Sequence, residues 1–224
     1  MKYFFLYYIS RAFIGNPLIA LLFVFVVYAI IDRQFIGILP DFLRPLKRWQ
    51  KMSSLKKEVE INPYQAQAFY ELGALHVEKG NMVEGRKYLE KAETLMPDHP
   101  DVKFYLGVTY IRTGEMEKGK EAIEEALRLN PKVKYAAPYL YLIEYSLNKG
   151  VPGDELNHYL DKIAEYGSPE LYYKLGVIFS KAGYKEKAKE MFKEAQISLQ
   201  GYPSFYKKQQ RYWAFKAKLK SLFS

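Results

Sequence analysis

The 224-residue chain contains no cysteine. That excludes a disulfide framework, a Cys-ligated zinc site, an iron–sulfur cluster and a thiol nucleophile. Histidine is scarce too: His76, His99 and His158 are the only three, and none stands in a metal-ligand spacing such as HExxH. No P-loop, glycine-rich phosphate cradle or Ser/His/Asp order is present. The chain is therefore expected to be no enzyme, with no cofactor, no metal and no small-molecule substrate. Acidic residues are missing from one stretch altogether, residues 204–224, which hold six basic residues.

That last absence matters because the net charge of +9 is unevenly spread. Residues 63–203 hold 19 basic and 21 acidic residues, whereas residues 35–62 hold six basic and three acidic. The middle is a charge-mixed domain with basic flanks. A nucleic-acid-binding fold would carry a basic face within itself, so nucleic acid is an unlikely partner by composition. Contact of the basic C-terminal stretch with nucleic acid or the ribosome is kept as a second alternative.

Residues 12–31 read AFIGNPLIALLFVFVVYAII, without a charge. As one helix they would span about 30 Å, the thickness of a hydrocarbon core. No A-x-A-like cleavage site follows, so the expectation is a retained single transmembrane helix within an N-terminal tail, residues 1–34. Lys2 and Arg11 precede the run; Arg33, Arg44, Lys47, Arg48 and Lys51 follow it. This bias places the C-terminal side in the cytoplasm, at the cell membrane. Residues 35–62 are expected to form a basic interfacial linker and an N-capping helix. In it Arg44, Lys47, Arg48 and Lys51 face the membrane surface, after an aromatic cluster at Tyr3, Phe4, Phe5, Tyr7 and Tyr8.

The remainder repeats itself at a period of 34 residues. Leu72-Gly73 returns as Leu106-Gly107, Gly80 as Gly114, Gly85 as Gly119, Ala92 as Ala126 and Pro97 as Pro131. Leu175-Gly176, Phe179, Gly183, Ala188, Phe192 and Ala195 form a later copy, with a degenerate one between. The pattern predicts paired antiparallel helices that cannot bury their apolar faces singly and must stack. Small residues at Gly73, Gly107, Gly176 and Ala92, Ala126, Ala195 allow close approach. Leu72, Leu89, Leu106, Ile123 and Phe192 fill the space between. In the degenerate copy, with helices expected over 138–149 and 153–166, Ile143 replaces the small residue, so that pair is expected to sit further apart. Residues 204–224 read as a basic amphipathic capping helix whose apolar face is Phe205, Tyr212, Phe215, Leu219 and Leu222.

With Phe69, Leu72-Gly73, Gly85, Leu89, Ala92 and Pro97 in one copy, and their counterparts in the next, the chain resembles the tetratricopeptide repeat (TPR) family. Its layout is similar to that of bacterial membrane-anchored members. The fold class expected is all-α. An N-terminal transmembrane helix precedes an α-solenoid of about four helix pairs over 63–203 (units 66–99, 100–133, 136–168 and 169–202), and a C-terminal capping helix closes it.

The resemblance implies a concave groove lined by the first helix of each pair. Onto this sequence it maps Tyr70, Ala74 and Val77; Phe104, Val108, Ile111 and Arg112; and Tyr173, Val177 and Lys181. Gln67, Glu78, Asp101, Glu144 and Glu170 flank them, and Leu140 is placed in the degenerate copy. Such a groove suits an extended peptide or an amphipathic helix. Members that hold C-terminal carboxylates use Lys and Asn at positions this chain fills with Gln67, Tyr70 and Ala74, so that activity is not carried over. The function expected is a membrane-anchored scaffold for protein partners at the cytoplasmic surface. The first alternative is the same scaffold on the other side of the membrane, assisting envelope assembly.

Overall fold

The computed structural model describes residues 7–8, 11, 15–32, 44–150, 153–202 and 204–222. Among them are eleven helices and no strand. Residues 35–43 of the expected interfacial linker, and Tyr3, Phe4 and Phe5 of the aromatic cluster, lie outside the described residues. So does the side chain of Phe205.

The first helix, α1 (Pro17–Ile31), corrects the expected membrane anchor over 12–31. Asn16 is extended and its side chain accepts the Leu18 N–H at 2.9 Å, with Pro17 as the first helical residue. An Asn cap followed by Pro is a start signal, so the helix does not include the apolar residues before Asn16. Its 15 residues rise about 22 Å at 1.5 Å per residue, against the ~30 Å of a hydrocarbon core. Among the described residues no helix is long and apolar enough to cross a membrane. The expected single-pass location in the cell membrane falls with it, and so does the membrane-anchored qualifier of the resemblance.

Helix α2 (Arg44–Ile61) tolerates Pro45 because that residue lies in its first turn. It buries Met52 and Leu55 against Ala68 and Leu72, with Val59 alongside. Four antiparallel pairs follow: α3 (Ala66–Lys79) with α4 (Met82–Leu95), α5 (Pro100–Thr113) with α6 (Met116–Leu129), α7 (Ala137–Lys149) with α8 (Gly153–Tyr166), and α9 (Pro169–Lys181) with α10 (Lys185–Gly201). Helix α11 (Ser204–Ser221) closes the described chain.

The connections are short because each first helix stops abruptly. Gly80 and Gly114 take φ of 91° and 92° at the ends of α3 and α5, a left-handed turn that L side chains adopt at a cost. Asn81 then caps α4 through the Glu84 N–H. Pairs touch through their smallest residues. A Cβ on Gly73 would lie 2.7 Å from Leu89 Cγ and 3.1 Å from the Gly85 carbonyl oxygen. At Gly176 it would meet the Phe192 ring at 2.6 Å. Leu72, Leu89, Leu106, Ile123 and Phe192 are buried in and around these crossings, as their spacing predicts. The third pair has Ile143, fully buried, instead of glycine, and its backbones make the sparsest contact of the four.

Each further pair stacks on the one before through its first helix, which always meets the preceding first helix. Ion pairs staple the outer side of the joints: Arg86 to Glu115 at 2.6 Å and Lys120 to Glu155 at 2.9 Å. Helix α11 packs on α9 and α10, occupying the place a first helix of a fifth pair would take. It does so with a face the spacing did not select. Ala214 and Ala217 are buried, whereas Phe215, Leu219 and Leu222 are 42%, 44% and 70% exposed.

Candidate partner-binding face

The first helices α3, α5, α7 and α9 run side by side, and the face they share is built from tyrosines and ion pairs. On α3 and α5, Tyr70 and Tyr105 lie with ring centroids 6.1 Å apart, and Tyr70 also meets the His99 ring at 5.4 Å. Lys134, from the loop between α6 and α7, donates to the Tyr70 hydroxyl at 3.1 Å and pairs with Asp101 at 2.8 Å. Lys134 itself has φ of 46°, a conformation uncommon outside glycine. These contacts hold that loop across the first helices. Burial works against the Lys134 ammonium, but Asp101 and Tyr70 outweigh it and its pKa is raised. Burial raises the Tyr70 hydroxyl too, against the opposing pull of Lys134.

A second cluster joins α2, α3 and α5. The Tyr105 hydroxyl donates to Glu78 Oε1 at 2.9 Å, while Arg48 holds Glu78 Oε2 at 3.0 Å. Burial, and then the Glu78 charge, push the Tyr105 pKa well above its ordinary value, so this hydroxyl stays a proton donor. A third cluster joins α5 and α7. Arg112 donates to Glu144 at 2.7 Å and lies over the Tyr141 ring, which meets Phe104 edge-on at 5.8 Å. At the far end Tyr173 of α9 packs on Trp213 of α11 at 5.5 Å, with Lys216 over the Tyr173 ring at 5.0 Å.

Of the residues mapped to the groove, Tyr70, Tyr173 and Val177 are half-buried and Arg112 and Lys181 are exposed. Ala74, Val77, Phe104, Val108 and Ile111 are buried. Val77 and Ile111 are turned toward the second helices: a Cβ on Gly85 would lie 2.6 Å from Val77 Cγ2, and one on Gly119 would collide with Ile111. Leu140 of α7 is buried, and its neighbour Tyr141 takes the surface position. Tyr105, Tyr141 and Lys134 were not anticipated. The abundance of tyrosine, 21 residues, was the only sequence signal for the first two. Lys134 lies in a loop that the repeat pattern does not describe.

The residues expected at a membrane surface divide likewise. Arg48 and Lys51 pair with Glu78 and Glu71 of α3, Lys51 at 2.8 Å, and so fasten α2 to the first pair. Arg44 and Lys47 are exposed. Among the described residues no cluster of His, Asp and Glu has a geometry for a metal ion.

Models of the tetratricopeptide repeat match residues 76–138 and 169–196. Over those two stretches the chain carries tetratricopeptide repeats. The matched stretches leave out most of the third pair, where Ile143 replaces glycine. No curated protein matches the chain significantly. Among solved structures, a crystal structure of MamA is similar over 73% of this chain and 98% of its own, with a TM-score of 0.52 and 20% identity. A thermophilic TPR protein of Thermus thermophilus, TTC0263, is similar over 75% of this chain and 89% of its own, at a TM-score of 0.55 and 19% identity. The Cut9–Hcn1 hetero-tetramer of the APC/C is similar over 79% of this chain but 36% of the matched one, at a TM-score of 0.56 and 21% identity. At these identities the likeness is one of fold.

Proposed function

We propose that this chain is a non-catalytic TPR scaffold that holds a protein partner on the face of α3, α5, α7 and α9. The observation that carries this reading is the row of half-buried tyrosines, Tyr70, Tyr141 and Tyr173, set among charges on that one face. Rings of this kind supply large contact area at small entropic cost, and their hydroxyls add direction. Glu78, Asp101 and Glu144 are already engaged by Arg48, Lys134 and Arg112. A partner therefore meets a patterned surface and not a free field of one sign. The mapped groove residues Tyr70, Arg112, Tyr173, Val177 and Lys181 are the ones with surface to offer it. Ala74, Val77, Phe104, Val108 and Ile111 act from beneath by holding the helices in place.

The test is capture from extracts of the source cells by the tagged full chain, compared with Tyr70→Ala and the double variant Arg112→Glu/Lys181→Glu. Loss of the same captured protein in both, with melting temperatures within a few degrees of the parent, is the expected result. Equal capture by parent and variants would overturn the proposal.

A further inference from the structure

Helix α11 sits where the first helix of a further pair would sit. In each of the four pairs the second helix covers the first, and after the first, second and fourth pairs the next first helix leans on both. Helix α11 leans on α9 and α10 in this way, and among the described residues no helix completes its pair. Where a second helix for α11 would run, between α10 and α11, an open, shallow cleft of about 360 Å³ is lined by Gln196, Leu199, Arg211, Ala214, Phe215 and Lys218. Phe215, Leu219 and Leu222, at helical spacing, continue its apolar floor along α11 and are 42%, 44% and 70% exposed.

The charge around this strip selects the occupant. Arg211 and Lys218 line the cleft, α11 has no acidic residue, and no acidic residue lines the cleft. A second copy of the chain has a helix of the complementary kind in α2, which covers α3 as a second helix covers a first. Yet α2 carries six basic residues against Glu58 and Glu60. Stacking it on α11 would set basic on basic at contact distance, where like charges cost the most.

We propose that the α10–α11 cleft docks an amphipathic helix of a partner protein whose polar face is acidic, in the position of a fifth second helix. The site lies at the end of the repeat stack and is separate from the face of α3, α5, α7 and α9. The partner's apolar stripe covers Phe215, Leu219 and Leu222, and its carboxylates meet Lys218 at the rim. This is helix-in-groove recognition with the stacking surface of the solenoid as the groove.

The test uses the full chain and two labelled 18-residue helical peptides with the same leucine stripe, one with glutamate and one with lysine on the polar face. Fluorescence anisotropy is expected to show binding of the glutamate peptide, at least ten-fold tighter than the lysine peptide and weakened by 0.5 M salt. Phe215→Glu and Lys218→Glu are each expected to weaken it at least ten-fold, while Arg112→Glu leaves it unchanged. Hydrogen exchange should show protection in α10 and α11, which separates this site from the first-helix face. Equal binding of both peptides, or binding indifferent to Phe215→Glu and Lys218→Glu, overturns the proposal. Concentration-dependent oligomers abolished by Phe215→Glu would overturn it in favour of a second copy. Binding of phosphatidylglycerol vesicles without the peptide would do so in favour of lipid.

Discussion

Gly107 and Gly119 face each other where α5 crosses α6. A Cβ on Gly107 would stand 2.9 Å from the Gly119 carbonyl oxygen, and one on Gly119 would stand 3.0 Å from the Gly107 carbonyl oxygen. The obstruction is backbone, which cannot rotate away, and it is reciprocal. The same relationship joins Gly73 and Gly85 in the first pair, at 3.1 and 3.3 Å.

Gly107→Ala and Gly119→Ala should each destabilise the chain by about 1–3 kcal/mol, the usual cost of overpacking, despite the better helix propensity of alanine. Gly153→Ala is the control. It lies in the first turn of α8 with nothing within 4 Å of an added Cβ, and it should not lower stability. Urea midpoints of the three variants check this; equal midpoints for Gly107→Ala and the parent would refute the close crossing.

Phe104 belongs to the mapped groove, yet it is only 4% exposed, with its ring against Tyr105 and Tyr141. Truncation to alanine should cost about 3–5 kcal/mol, as for other buried aromatic residues. A charge at this position should unfold the joint between the second and third pairs. Arg112→Ala removes a partly exposed ion pair with Glu144 and should cost about 1 kcal/mol or less. Denaturation by urea distinguishes the two. A small loss for Phe104→Ala would place that ring on the surface after all.

His76 should make stability depend on pH. It is 6% exposed, stacks on Tyr88 at 5.4 Å, and neither ring nitrogen has a hydrogen-bond partner in the structure. Burial lowers its pKa; Lys56 of α2 and Lys79 add to the effect, and Glu84 of α4 opposes it. The folded chain therefore binds this proton less readily than the unfolded chain does. Stability from this group is complete above the unfolded pKa of about 6.5 and is lost as pH falls from there through the lower folded value. The counterparts of His76 in the second and fourth pairs are Tyr110 and Phe179, so His76→Phe should fit. It should shrink the difference between urea midpoints at pH 7.5 and pH 5.5, and an unchanged difference would assign the pH dependence to other groups.

Helix pairs, their turns and their crossings were legible in the chain because they depend on local chemistry that recurs. A glycine at the crossing of the first, second and fourth pairs, and another at the end of each first helix, leaves few ways to pack. The third pair was legible only in outline: with Ile143 at the crossing, the surface position passes from Leu140 to Tyr141, and no local pattern records that shift. Helix α1 was misjudged because apolar content was read across Asn16-Pro17, whose capping bond starts the helix there.

Sequence by itself determined that this chain pairs its helices, stacks the pairs and carries its basic excess on the flanks. Those properties follow from residue size, propensity and charge at fixed spacing. Tertiary structure alone decided which side chains face outward. Val77 and Ile111 turn to the second helices because glycines there leave room for them. Arg48 and Lys51 turn to α3 because Glu78 and Glu71 wait within reach. Helix α11 buries Ala214 and Ala217, not Phe215 and Leu219, because small side chains let it settle against α9 and α10. Each choice depends on what stands opposite, and only the folded chain supplies that neighbour.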